Sequence, residues 1–384
     1  MKNQKICIIG DGLAGLTTAL VLSNLNLDVD LYLGKKSNKT KVDQRITAIS
    51  TKNYNFLKKY IGSKNLKHLW PCNNIKLYHE ENEKKLNFLN FNDKKNLMYI
   101  FENHKLKKVI RDKLKINKIN KINKINLIYK TIKKTNIKKN IINSGKSKIS
   151  YDIVVLCLGA KSEIYKNLLN ERAIYKNYFE TAITCKINHK TNIVNPRQYF
   201  LKEGPLAILP FKKNIFSIVW SIDEKLFANN KNNLKKLIGL KLKNLLGKKN
   251  NFIISKIQSY PIKLNLETKY YNKNTLILGE GIHSVHPLAG QGFNLVLRDI
   301  EKFCQLLKNN LNLGLDINNS GILKEFNKSR KPENIILGLG IDFTNYFFKY
   351  SKYLEPFKNK IIKNLNTFEI LKKLSKDVSN KGLF

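Results

Sequence analysis

The chain has 384 residues, with 71 Lys and Arg against 28 Asp and Glu and a formal net charge of +43. Hydrophobic residues make up 42 % and charged residues 26 %, which excludes a disordered chain and allows a sizeable core in about two or three domains. No apolar run approaches the roughly 20 residues that cross a bilayer, the longest being Ile153–Ala160 and Ile335–Ile341.

In chain order, Lys5–Ile9 reads as a short buried strand, which speaks against a cleaved signal peptide. It runs into Gly10-Asp11-Gly12-Leu13-Ala14-Gly15, then a helix with Leu16, Ala19 and Leu20 on one face, then a strand over Val29–Leu33. This is a βαβ unit of about 30 residues around a GxGxxG turn. Gly10 permits the tight turn, Gly12 lets the backbone approach a pyrophosphate, and Gly15 lets the helix pack on the strand. The helix start then offers free N–H groups to phosphate. One feature dissents. The acid that holds ribose hydroxyls is absent: Leu33 and Gly34 stand there, and Asp28 and Asp30 lie at the wrong end of the strand.

The basic residues are spread along the whole chain and travel with Asn and Ile, as in Ile116–Asn126. Codon bias explains this without a selected partner; attraction to an anionic lipid surface is the other reading. No nucleic-acid module is visible, so no nucleic-acid partner is expected. The period-three INK run reads as filler at a helix end or loop. The cysteines, Cys7, Cys72, Cys157, Cys185 and Cys304, are scattered and odd in number, which suits a reducing cytoplasm and speaks against a disulfide framework or a zinc site.

Further on, Ile153–Leu158 is a buried strand ending at Gly159. Tyr178–Ile187, Gln198–Phe200, Leu206–Leu209 and Phe216–Ile222 read as antiparallel strands and Leu234–Leu246 as a helix. Thr275–Leu278 is another buried strand. It leads into Gly279-Glu280 and a Pro/Gly-rich loop, and a helix is expected over about Gln291–Leu307. Such a loop presents backbone N–H groups at a helix N-terminus, suited to negative charge on a reduced isoalloxazine, with Glu280 placed for ribityl hydroxyls. The tail after Ile341 reads as helical, Lys-rich and aromatic.

The stretch from Gly279 to Asp299 resembles the GDAxHxxHPxAGQGxNxGxxD signature of FAD-dependent aromatic hydroxylases of the para-hydroxybenzoate hydroxylase fold. His286-Pro287-Leu288-Ala289-Gly290-Gln291-Gly292-Phe293-Asn294 and Leu297-Arg298-Asp299 match its ubiquinone-biosynthesis branch. Asp43–Ser50, Glu102–Leu106, Gly204–Pro210, Val219-Trp220 and Ser259-Tyr260-Pro261 are similar to further segments of that branch, in its order. The second nucleotide signature departs: Leu158 replaces its acid and Tyr165 its arginine, which puts direct NAD(P)H use in doubt.

The resemblance implies an α/β fold: a Rossmann-like FAD-binding domain of the GR2 type, an inserted β-sheet substrate domain and C-terminal helices. The expected division is residues 1–75, 97–175 and 270–340 for FAD, 76–96 and 176–269 for substrate, and 341–384 as a helical segment. It implies hydroxylation of a polyprenylated phenol or benzoquinol through a flavin C4a-hydroperoxide. O₂ is the co-substrate, and the electron donor is NAD(P)H or a separate reductase or ferredoxin. Gly10, Gly12, Leu13, Ala14, Gly15 and Arg45 would hold the ADP half, and Gly279 and Glu280 the ribityl chain. Pro287, Gly290, Gln291, Gly292, Phe293 and Asn294 would border the ring. Leu206, Ala207, Ile208, Leu209, Pro210 and Trp220 would wall the substrate, with a plain core role for Trp220 also open. No general base is assigned; Pro287 and His286 are the residues nearest the chemistry. His283 and His286 are otherwise structural histidines, Arg330 a helix anchor, and no metal is expected.

The aromatic, Lys-rich segment from Phe343 to Leu371 reads either as an amphipathic helix on the inner face of the cytoplasmic membrane or as a helix packed on the flavin domain. A quinone-biosynthesis complex is a further expected partner. A hydroxylase of a small soluble aromatic acid and a scaffold that has lost its cofactor are the competing readings. The first would need a pocket arginine, and the sequence singles out none.

Overall fold

A computed structural model describes residues 4–34, 43–81, 84–119, 124–133, 137–138, 140–144, 147–160, 162–165, 173–318 and 321–350. The expected tail residues beyond 350 and residues 120–123 of the INK run lie outside them. Among the described residues the helices are α1 (Leu13–Leu22), α2 (Thr51–Ile61), α3 (Asn103–Ile119), α4 (Glu224–Asn229), α5 (Leu234–Leu246), α6 (Gln291–Asn312) and α7 (Ile322–Tyr350).

A six-stranded sheet carries the nucleotide end. Its strand order is Tyr271–Asn272, Thr275–Ile277, Ile153–Leu156, Lys5–Ile9, Asp28–Leu33 and Ile125–Tyr129. All pairings but the outermost Tyr271–Asn272 are parallel. Parallel sheets are covered on both faces, so their strands read as continuous apolar runs. Ile153–Leu156 is buried at every position, and α1 buries everything from Gly15 to Leu22. Residues 116–119 of the INK run form the end of α3, one of the two places expected for it, and Ile125 opens the next strand.

The larger sheet follows the order His283–Ser284, Gln258–Leu266, Ile174–Asn188, Ile215–Asp223, Gly204–Lys212, Arg197–Leu201, Asn74–Glu81 and Lys84–Asn92. Ile253–Ile254 adds to Ile174–Asn188. The sheet is antiparallel except where Arg197–Leu201 runs beside Asn74–Glu81. Each strand therefore alternates between two faces. One face closes on α5 around Tyr199, Leu206, Ile208, Phe216, Ile218 and Trp220. The other turns toward the nucleotide end. A small sheet of Ile46–Ser50, Met98–Glu102 and Trp70–Cys72 bridges the two.

A buried ionic cluster locks α6 to α7. Arg330 Nε donates to Asp299 Oδ1 at 2.7 Å, and Asn334 Nδ2 donates to the same oxygen at 3.1 Å. His283 Nε2 sits 2.6 Å from Asp299 Oδ2. Burial alone would raise the Asp299 pKa, but Arg330 and His283 outweigh it and hold the carboxylate charged. Arg330 is thus the helix anchor expected from its position, and His283 is buried inside the same cluster.

Candidate active site

A cleft of about 1880 Å³ runs between the two large sheets. At one end the turn after Lys5–Ile9 meets the start of α1. Gly10 has φ of 141°, and a Cβ there would lie 2.1 Å from the Cys157 carbonyl oxygen, so only glycine fits. Gly12, by contrast, faces open space. Gly10, Gly12, Leu13 and Ala14 line the cleft; Gly15 packs inward against Gly10 instead. Asp11 Oδ2 accepts from Lys107 Nζ at 3.2 Å and lies 3.8 Å from Arg111 Nη2. Lys107, Lys108 and Arg111 of α3 give this end of the cleft a cationic border.

The position of the missing acid is filled by buried Leu33, while buried Asp30 is held by Lys5 at 3.0 Å, Tyr151 at 2.7 Å and Asn126 at 2.8 Å. The other departures also have structural work. Tyr165 is buried, and its hydroxyl accepts from the Leu158 backbone N–H at 2.7 Å, bracing the turn at Gly159.

Arg45 and Glu280 border the middle of the cleft. Arg45 donates twice to Asp43, from Nε and Nη2, each at 2.9 Å. Its Nη1 is 3.9 Å from Glu280 Oε1, and its guanidinium lies 5.5 Å from the centre of the Tyr260 ring. Burial alone would lower its pKa; Asp43 and Glu280 overcome this and keep it charged.

The loop Pro287–Asn294 forms the next border. Gly290 adopts φ of 63°, and α6 begins at Gln291. The first N–H groups of a helix lack intrahelical partners. Gly290, Gln291, Gly292, Phe293 and Asn294 all line the cleft, and Gly292 faces open space. Asn294 fixes the loop. Its Oδ1 accepts from Ser50 N at 2.9 Å and Asn53 Nδ2 at 2.7 Å, and its Nδ2 donates to the Ala48 and Gly290 carbonyls, each at 3.1 Å. A side-chain amide has no further capacity to give.

His286 also touches the cleft but is fully buried, with Nε2 3.1 Å from Glu180 Oε2. Glu180 accepts from Lys349 of α7 as well. Burial would raise the Glu180 pKa; His286 and Lys349 pull it below the usual carboxylate range.

The far wall is the open face of the large sheet, and here one expectation is corrected. Leu206, Ile208 and Trp220 do not wall the cleft. They point to the opposite face, where Trp220 is 0 % exposed and packs toward α5. Pro210 shares their side of the alternation and does not border the cleft. Ala207 and Leu209 do face it, joined by residues not anticipated: Val219, Thr184, Ala182 and Gln198. The strand period of two was the signal available for them. Leu77, Phe88, Leu89 and Phe200 extend this wall, and Phe343, Phe347 and Phe348 of α7 close its end. Phe200 and Phe348 stack with centroids 3.7 Å apart. Arg197 borders the cleft too, so a pocket arginine exists, although strand alternation puts it on the side of Tyr199, which packs in the closed face. No group of three or more metal-ligating side chains occurs among the described residues.

A glycine turn with open space beyond Gly12, a cationic border, and a second loop that opens a helix N-terminus onto the cleft fit an extended dinucleotide whose ring end reaches an apolar wall. The fold and this cleft define a flavin-dependent monooxygenase. The chain belongs to the FAD binding domain family, which matches residues 3–330. It is 25 % identical to the mitochondrial ubiquinone biosynthesis monooxygenase COQ6 of Dictyostelium discoideum, over 97 % of this chain and 90 % of that one. It is 28 % identical to the ubiquinone hydroxylase UbiL of Rhodospirillum rubrum over 42 % of this chain and 38 % of that one. In fold it resembles p-nitrophenol 4-monooxygenase PnpA from Pseudomonas putida, with a TM-score of 0.76, 14 % identity and 99 % of each chain covered. It also resembles Klebsiella pneumoniae HpxO complexed with FAD and uric acid, with a TM-score of 0.72, 13 % identity, and 98 % of this chain and 97 % of that one covered.

Proposed function

We propose that this protein hydroxylates the aromatic ring of a polyprenylated phenol or quinol in ubiquinone synthesis. The observation that carries the reading is the continuity of one cleft from the glycine turns to a long apolar wall ending in the α7 phenylalanines. Gly10, Gly12, Leu13, Ala14 and Arg45 hold the ADP half of FAD, with Gly15 letting α1 pack. Glu280 holds the ribityl chain; Gly279 does not border the cleft and instead packs against Ala14 and Val296 behind it. The loop Pro287–Asn294 borders the ring. When bound, FAD supplies the activation of O₂ that ring hydroxylation needs. The protein's part is to place the ring, keep water out and hold the loop rigid. Ala207, Leu209 and Val219 seat the substrate ring, and the phenylalanines shield it. A purified protein that is yellow with bound flavin, and that restores quinone synthesis in a bacterial strain lacking one ring hydroxylase, is the expected result. A colourless preparation that ignores added FAD overturns the reading.

The substrate is drawn from a membrane surface. The first half of α7 exposes Lys324, Glu325 and Lys328, as a solvated helix does, whereas its second half exposes Ile336, Leu339, Phe343 and Tyr346 at helical spacing. Phe343 also borders the cleft, so this apolar stripe is continuous with its mouth. No helix among the described residues is long and apolar enough to cross a membrane. Flotation with anionic vesicles tests this, and loss of flotation on Phe343→Asp with Tyr346→Asp is expected.

A further inference from the structure

One register row crosses the cleft face of the large sheet. Thr184 stands opposite Val219, Val219 opposite Ala207, and Ala207 opposite Gln198. Gln198 in turn stands opposite Leu77, and Leu77 opposite Leu89. All six line the cleft. The row is graded. Its Leu77–Leu89 end is aliphatic, and its centre at Ala207 and Val219 is short, which leaves depth for a flat ring.

Gln198 breaks the apolar run. It is 7 % exposed, and burying an amide is unfavourable unless it is hydrogen-bonded. Its Nε2 makes one long contact, 3.4 Å to the Tyr199 carbonyl, which leaves most of the amide's hydrogen-bonding capacity for a ligand. By strand alternation the adjacent Arg197 falls on the side of Tyr199, which packs in the closed face. Beside the short residues the wall therefore offers a neutral amide, not a charge. A neutral amide suits an uncharged ring oxygen and is a poor partner for a carboxylate.

We infer that Gln198 is the specificity-determining residue for the ring: its amide hydrogen-bonds a phenolic hydroxyl of a ring seated over Ala207 and Val219, with the prenyl tail running along Leu77 and Leu89. This rests on the prenyl-phenol reading above. It also accounts for selection of a phenol over an aromatic acid.

The test uses the FAD-loaded full chain and two probes that differ by one hydroxyl, 2-geranylphenol and geranylbenzene, titrated by calorimetry. The wild-type protein binds the phenol about 5- to 10-fold more tightly, the worth of one net hydrogen bond. Gln198→Leu binds both probes equally, with geranylbenzene affinity unchanged, which also reports an intact wall. Gln198→Met, unbranched and of similar length, gives the same result should the leucine variant fold poorly. A preference for the phenol that survives in both variants overturns the assignment while leaving the hydroxylase reading intact. If the wild-type protein binds neither probe but binds 4-hydroxybenzoate, the prenyl-phenol reading itself fails and takes this assignment with it.

Discussion

The two faces of the large sheet are written in the same strands and do opposite things. In Ile215–Asp223 the residues Phe216, Ile218, Trp220 and Ile222 turn to the closed side, and the smaller Ser217, Val219 and Ser221 alternate with them. In Gly204–Lys212, Leu206 and Ile208 go to the closed side while Ala207 and Leu209 go to the cleft. One face is filled to make a core, and the other is underfilled to make room. Side-chain volume, sorted by a period of two, separates stability from function in a single segment.

The largest effect expected from this contrast is at Trp220. Its removal as Trp220→Ala leaves a hole in the closed face and costs about 3–5 kcal/mol of unfolding free energy. Val219→Ala, one residue away on the cleft face, costs about 1 kcal/mol or less, because its surroundings are already open. Urea unfolding of the two variants checks this. Equal losses at neighbouring positions would erase the distinction between the faces.

Next in size is Asn294→Ala, on the border facing the open side. It strips four hydrogen bonds from the loop and leaves the Ser50 N–H and Ala48 carbonyl without that partner, a loss of about 2–3 kcal/mol. The loop then no longer holds its shape, so the variant also purifies with less flavin than Trp220→Ala does at equal folded fraction. Absorbance at the flavin band relative to protein reads the difference.

A pH dependence separates the two regions further. Glu102 ties the small sheet to the large one through Lys186 and to α3 through Lys105. Burial would raise its pKa, but these lysines pull it down to about 2. A carboxylate depressed on folding contributes stability that is fully present above its unfolded pKa of about 4.3. That contribution fades as pH falls toward 2. The difference in urea midpoint between wild type and Glu102→Gln is therefore full at pH 6 and shrinks steadily below about pH 4. Trp220→Ala shows no such trend, since no charge is involved. A gap for Glu102→Gln that stays constant with pH would mean its lysines contribute nothing through charge.

The nucleotide end was legible because its signals are local. The Lys5–Ile9 strand, the glycine turn and α1 lie within about twenty residues, and each follows from backbone geometry at Gly10 or from apolar spacing. The loop before α6 was legible for the same reason. The substrate wall was not, although its strands were placed within a few residues. Which side of a strand faces a cavity depends on partners far along the chain: Gln198 reaches Ala207 across a hairpin but Leu77 only through a parallel pairing with a distant segment. A motif read as one block, Gly204–Pro210, hid its own alternation. Trp220 drew attention by its size, and size is what sends a residue to the filled face.

The smallest predicted effect probes where the cleft ends. Phe348 stacks on Phe200 and packs beside Phe88, tying α7 to the outer strands of the sheet. Phe348 is itself only half-buried, and α7 keeps its anchor at Arg330 and Asp299, so Phe348→Ala lowers stability by only about 1 kcal/mol. Its consequence lies in chain length. Each further isoprene unit of a prenyl-phenol gains affinity only while there is apolar wall to cover, and Phe348 belongs to the α7 end of that wall. The variant binds a one-isoprene phenol as the wild type does and loses about 3- to 5-fold on a three-isoprene phenol. Equal losses on both would place Phe348 at the ring instead of the tail and would move the open face's boundary inward.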